Sequence, residues 1–395
     1  MSDVTAQPLV VPDDRLPASA FEPVRPAYGT ASLADVLPSV SALLGVPGAT
    51  DVLGLRERLE GVDRIGVLLV DGLGAHQIPV ISPYAPLTAQ LAAGARTVTA
   101  GFPSTTPVSL TTLGAGTPPG AHGILGFTVR RPDGRVLNHI HWADDPDPRS
   151  WQPVPTRFET AAAAGVAVTE VSRPEFEGSG LTEAGFRGVR YIGASEGAET
   201  ADLMLSALAA TPRSLVFGYH GELDKRGHED GVDSPSWREA ARGVDALVDR
   251  LVHGLPPRSA LLVIADHGQL NVPPDERIDM ADIPDLQAGV AGVAGEPRVR
   301  YLYTAPGARD DVVAAWRSVF ADRAWVLTRE EAIDGGWFGP VPAAHRSRIG
   351  EVVVICQGRT ISLAGGWEPP SVGRLIAYHG SVTAAEMQIP LLIAR

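Results

Sequence analysis

The sequence predicts an α/β fold, with a largely parallel central sheet, helices on both faces and a small α/β insert near the C-terminus. Three observations predict it. Two runs, residues 64–70 and 259–265, are continuously apolar, the pattern of strands buried on both faces of a parallel sheet. Strand and helix patterns alternate from residue 64 to residue 266. Finally, 395 residues with 44% hydrophobic content are enough for one elaborated domain or two.

The elements follow in order. Residues 1–30, punctuated by Pro8, Pro12, Pro17, Pro23 and Pro26, read as an irregular N-terminal arm. Residues 32–44 read as a helix capped by Ser32 and interrupted by Pro38, and residues 51–59 as another. The apolar run from Arg64 ends in Asp71, where an open α/β sheet places its ligands; helix N-cap is the competing reading of Asp71. Residues 95–100 read as a strand. The hydroxyl-rich stretch Phe102-Pro-Ser-Thr-Thr-Pro follows, and then a short helix around Leu110 and Leu113. A hydroxyl between a strand end and a helix N-terminus suits a nucleophile attacking a phosphate, and equally a residue capping its own helix.

Residues 127–131 and 136–142 read as a hairpin turning at Pro132-Asp133-Gly134, with His139 and His141 on one face. Strands at 166–171, 188–192 and 213–219 alternate with helices at 156–164, 200–210 and 236–251. The catalytic α/β domain is expected to comprise residues 31–294 and 376–395. Residues 295–375 would form the cap insert, in which 350–356 and 360–363 pair as a hairpin.

Composition narrows the function classes. The net charge of −13, without Lys/Arg runs, argues against a nucleic-acid surface. No apolar run reaches about 18 residues, so no membrane span is expected. The first 30 residues lack a basic start followed by an apolar stretch, so the expected location is cytoplasmic. The one cysteine, Cys356, lies in an apolar run and cannot form an intrachain disulfide. Any metal must therefore be held by His and carboxylates.

Asp71, Asp224 with His228, Asp266 with His267, and His379 each place Asp or His in a loop beside apolar strand sequence. Three carboxylates and three histidines suit two divalent cations, which can clamp attacking and leaving oxygens in phosphoryl transfer.

The motifs Val70-Asp-Gly-Leu, Phe102-Pro-Ser-Thr-Thr, Gly120-Ala-His-Gly-Ile, Asp224-Lys-Arg-Gly-His228, Ala265-Asp-His-Gly268 and His379-Gly380 share order and spacing with a known family. From Val67 onward the chain resembles the nucleotide pyrophosphatase/phosphodiesterase branch of the alkaline phosphatase superfamily. The resemblance implies an alkaline-phosphatase-like fold, two zinc ions and a covalent intermediate on a hydroxyl residue. It implies that Asp71, Asp266 and His267 hold one zinc together with the Thr106 hydroxyl, and that Asp224, His228 and His379 hold the other. The family's Phe-Pro-x-x-Thr pattern puts the nucleophile at Thr106, with Thr105 and Ser104 as fallbacks.

The family's phosphate-binding asparagine falls at Phe127, and Asn138 or the backbone N–H of Thr106 is the expected substitute. Manganese is the alternative metal. The implied substrate is a small phosphodiester or nucleotide. A phosphomonoesterase or phosphonate hydrolase is the runner-up, and a non-catalytic metal- or phosphate-binding protein the third reading. A cation for a terminal phosphate (Lys225, Arg226 or Arg173) would favour the monoester. An aromatic slot formed by Phe127, Trp142 or Phe176 would favour the diester.

Overall fold

The computed structural model describes residues 10–195 and 197–395. Residues 1–9 of the expected arm lie outside the described residues. The remainder of that arm is irregular and anchored by its side chains. Buried Asp14 pairs with Arg359, and the Val24 N–H donates to Val382 O.

Strands β1 (Arg64–Val70), β2 (Arg96–Thr99), β3 (Ala167–Ser172), β4 (Arg190–Gly193), β5 (Ser214–His220) and β6 (Ser259–Ile264) form the central sheet with the C-terminal strand Gln388–Ala394. The order is β2, C-terminal strand, β6, β1, β5, β3, β4. Strands β6, β1, β5, β3 and β4 are mutually parallel, and the C-terminal strand runs antiparallel to β6 and β2.

Helices cover both faces. Adjacent residues of a strand point to opposite sides. On β5, Phe217 packs against Phe158 of α3 (Arg157–Ala163), which follows α1 (Leu33–Leu43) and α2 (Thr106–Ala115) in the chain. Its neighbour Gly218 lies under Met204 of α4 (Gly197–Ala210), where a Cβ would stand 2.2 Å from the sulfur. Glycine is needed there because the helix rests directly on the strand backbone. Helices α5 (Glu222–Asp230) and α6 (Pro235–Gly254) complete the α/β alternation.

A second sheet, wholly antiparallel, contains β7 (Val290–Glu296), β8 (Val299–Thr304), β9 (Ala324–Thr328) and β10 (Val352–Cys356) in the order β7-β8-β10-β9. The expected hairpin between 350–356 and 360–363 does not form. Both edges of β10 are occupied, by β8 and β9, so Ile361–Leu363 instead pairs in parallel with Arg277–Asp279.

Two other expectations shift. Residues 51–59 give one helical turn, Leu55–Arg58, because the Asp51 carboxylate accepts from Leu55 and Arg56 N–H and caps it late. The strand after the Pro-Asp-Gly turn ends at Asn138, whose side-chain oxygen accepts from the Ile140 and His141 N–H groups. That turn breaks the alternation. His139 is buried beside Trp142 and Trp151, whereas His141 is exposed, so the two do not share a face.

Candidate metal centre

Three adjacent parallel strands, β6, β1 and β5, deliver their carboxyl ends to one place. Asp71 follows β1, Asp266 and His267 follow β6, and α5 begins just after β5 with Asp224 and His228 on its first two turns. Their i, i+4 spacing puts both side chains on one face of α5. His379 arrives after Ala377–Tyr378, which pairs with Leu270–Asn271 downstream of β6.

The six side chains form two trios. Buried Asp71, Asp266 and His267 bring their ligand atoms within 4.8 Å of one another, and so do Asp224, His228 and His379. In the first trio His267 Nε2 lies 3.5 Å from Asp71 Oδ1 and 3.2 Å from Asp266 Oδ2. In the second, His228 Nε2 lies 3.4 Å from Asp224 Oδ2 and 3.2 Å from His379 Nε2. The imidazoles of His267 and His379 stack with centroids 3.5 Å apart, so the trios are contiguous.

Neighbouring groups orient these side chains. His228 Nδ1 bonds Ala377 O at 2.8 Å and His379 Nδ1 bonds Ser104 O at 2.9 Å. Each bond commits Nδ1 to a backbone carbonyl and frees Nε2 as a ligand. The Tyr219 hydroxyl donates to Asp71 Oδ2, and Gln269 Nε2 donates to Asp224 Oδ1. The sequence reading missed Tyr219 and Gln269. Tyr219 ends an apolar strand and Gln269 follows the Asp-His-Gly motif, so position was their only signal. Asp71 caps no helix: Oδ2 is held by Tyr219 and buried Oδ1 has no hydrogen-bond partner.

The electrostatics fit a dication. Burial, and then the charges of Asp266 and Asp224, push the Asp71 carboxyl well above the usual range. Burial and Asp224 push Asp266 up to about 7. Burial and the neighbouring imidazoles hold His267 well below its ordinary value, and burial brings His379 down to about 4. Buried Asp266 Oδ2, like Asp71 Oδ1, has no hydrogen-bond partner. Clustered carboxylates that resist ionisation, unprotonated imidazoles and orphaned oxygens are a donor set lacking a positive charge, which a divalent cation supplies.

The hydroxyl stretch reaches this cluster through α2. Thr105 is its N-cap and Thr106 its first residue, earlier than the helix expected around Leu110. Half-buried Thr106 places Oγ1 3.1 Å from His267 Nε2. Ser104 is buried and donates its hydroxyl to Ser381 O. The Thr105 side chain is buried and lines a different cavity from Thr106.

Two cavities meet at the second trio, both bordered by Phe127, His141, His228 and His379. One, of about 440 Å³, runs past Asn138, Glu296, Arg300 and exposed Val136 and Trp367. The other, of about 570 Å³, runs from Asp71 and Thr106 past Glu170, Ser172, Phe176 and Tyr219. Phe127 and Phe176 thus line cavities. Trp142 does not border either one; it is buried with its indole N–H on Pro146 O. Of the three expected phosphate-binding cations, Arg226 pairs with Glu222 and Glu229, Arg173 pairs with Glu175, and Lys225 is exposed. None lines either cavity.

Among solved structures, the chain is similar to murine ectonucleotide pyrophosphatase/phosphodiesterase 5, an inactive variant in complex with AMP. The identity is 19%, covering 84% of this chain and 88% of that one, with a TM-score of 0.68. It is also similar to phosphonoacetate hydrolase from Sinorhizobium meliloti 1021 in complex with phosphonoformate, at 18% identity over 85% and 91% of the two chains, with a TM-score of 0.64. At these identities the likeness establishes the alkaline-phosphatase-like α/β fold. No curated protein sequence matches the chain. Among the described residues, no helix is long and apolar enough to cross a membrane. The family model for type I phosphodiesterase / nucleotide pyrophosphatase matches residues 66–381, most of the chain, and the protein therefore belongs to that family.

Proposed function

We propose that the protein is a two-zinc phosphodiesterase/nucleotide pyrophosphatase that hydrolyses phosphodiester or pyrophosphate bonds through a covalent phospho-threonine on Thr106. The observation that carries the reading is the Thr106 hydroxyl, at a helix N-terminus and 3.1 Å from His267, beside two contiguous Asp/His trios. Asp71, Asp266, His267 and the Thr106 hydroxyl would hold one ion, and Asp224, His228 and His379 the other. Zinc suits this donor set, and manganese is the alternative. Bound there, the ions would supply the Lewis acidity that lets a threonine hydroxyl ionise near neutral pH and that offsets charge on the phosphate oxygens.

The residues' own parts follow from position. Thr106 gives up its proton to solvent and its oxygen attacks phosphorus in line. The new O–P bond forms as the leaving oxygen departs. Water then cleaves the Thr106–phosphate bond and restores the hydroxyl. Thr106 opens α2, and the partial positive charge of that helix N-terminus favours the same phosphate. Tyr219 and Gln269 hold Asp71 and Asp224 in place. Asn138 keeps its side-chain oxygen in a turn, leaving the amide N–H₂ as a donor beside Phe127, where the family's asparagine is missing.

A diester is favoured over a monoester because two cavities diverge from the trios, one for each substituent, and neither is lined by an unpaired cation among the described residues. Arg300, in the first, pairs with Glu368. The complete ligand set and retained hydroxyl speak against a non-catalytic binder. A cytoplasmic location belongs to this reading and rests on composition, with one cysteine that is free and buried. The test is elemental analysis followed by rates on bis-(4-nitrophenyl) phosphate and 4-nitrophenyl phosphate. About two zinc per chain and a faster diester are expected. A faster monoester would favour the phosphomonoesterase reading, and metal without turnover would favour the binding protein.

A further inference from the structure

We propose that the larger cavity is a subsite for an ammonium group on one arm of the substrate ester, selected by Glu170. The proposal rests on the phosphodiesterase reading and adds the chemical class of one substituent. Glu170 lies on β3, next to Phe217 of β5 in the sheet register, and its side chain lines the cavity. It is 3% exposed, and Oε2 has no hydrogen-bond partner. Burial alone pushes this carboxyl up to about 8.

A buried carboxyl without a donor is unfavourable for folding, and among the described residues none donates to Oε2. The nearby Arg173 guanidinium turns to Glu175 at 2.8 Å and lies over the Phe176 ring at 5.8 Å. The Tyr191 hydroxyl, on the strand beside β3, donates to Arg173 O. No Lys or Arg lines the cavity among the described residues.

The rest of the lining suits a cation. Phe127, Phe176 and Tyr219 border the space, the last two meeting edge to face at 5.9 Å, and aromatic faces attract cations. Ser172 and Glu175 add acceptors to the same lining. An ammonium on a short apolar linker would place its N–H on the Glu170 carboxyl while the phosphorus sits at Thr106. The resulting pair is a charge-assisted hydrogen bond, stronger than a neutral one. A neutral substituent would leave the carboxyl as it is.

The test uses two diesters of equal shape, 2-aminoethyl phenyl phosphate and propyl phenyl phosphate. Calorimetric titration into zinc-loaded Thr106→Ala protein measures binding without turnover. The amino ester is expected to bind ~10-fold or more tightly than its isostere, and Glu170→Gln in the same background to bring the ratio near one. Equal affinities without the Glu170 substitution overturn the proposal whether or not the second variant folds. A preference that survives Glu170→Gln overturns it too. Hydrolysis by the unsubstituted enzyme separates the two claims. Selective binding with no turnover of either ester sinks the phosphodiesterase reading and keeps the subsite. Turnover of both without preference does the reverse.

Discussion

Glu170 and Glu296 are buried carboxyls that each leave an oxygen unpartnered, one in each of the two cavities. Burial pushes both up to about 8. For Glu170 this sets the sign of a pH effect. Above its ordinary 4.5 the unfolded chain releases the proton, while the folded chain keeps it to about 8. Stability therefore falls between those values and levels off above them. Glu170→Gln carries no such proton. In metal-free protein its melting temperature should match the parent near pH 4 and exceed it by several degrees near pH 9. A constant difference across that range would mean that Glu170 is ionised in the fold. The clustering of the candidate metal ligands was legible in sequence because Asp71, Asp266 and His267 close apolar strands. Glu170 was not, because a glutamate within a strand ordinarily reads as a solvent-facing position.

The loop after β1 shows how an element holds the centre together. Gly72 adopts φ +74°, and a Cβ there would lie 3.0 Å from Asp224 Cα and 3.2 Å from Asp224 Oδ1. The chain passes this close where Asp71 and Asp224 bring the two trios together. Gly72→Ala should cost about 1–3 kcal/mol in urea unfolding, through strained backbone, and should weaken zinc retention in a competitive chelator titration. An unaltered zinc affinity would show that the trios do not depend on this approach. The apolar strands at the centre were readable because both faces are buried. The pairing of β10 was not, because neighbouring runs resemble a hairpin unless the distant strands β8 and β9 are known to occupy its edges. The Asn138 turn was hidden for a related reason: a side-chain hydrogen bond overrides alternation.

At the scale of the molecule, buried Arg298 joins the second sheet to the segment beside His379. It donates to both Glu386 oxygens and to the carbonyls of Gly358 and Thr360. Glu386 in turn accepts from Ser381 N and the Thr383 hydroxyl. Arg298→Met leaves a buried carboxylate uncompensated and should cost about 3–5 kcal/mol, read as a lower urea midpoint. Loss below ~1 kcal/mol would show that the tie is dispensable. Because the trios draw on segments from Asp71 to His379, zinc at 100 times its dissociation constant should add about 2.7 kcal/mol to stability, and chelation should remove it. A melting temperature indifferent to chelator would contradict that coupling. If Thr106 is the nucleophile of a two-metal hydrolase, its loss should separate metal binding from turnover. Thr106→Ala should keep close to the parent's zinc content yet lose hydrolysis of bis-(4-nitrophenyl) phosphate by on the order of 10³-fold or more. Near-parental turnover in Thr106→Ala, with the loss appearing instead in Thr105→Ala, would contradict it.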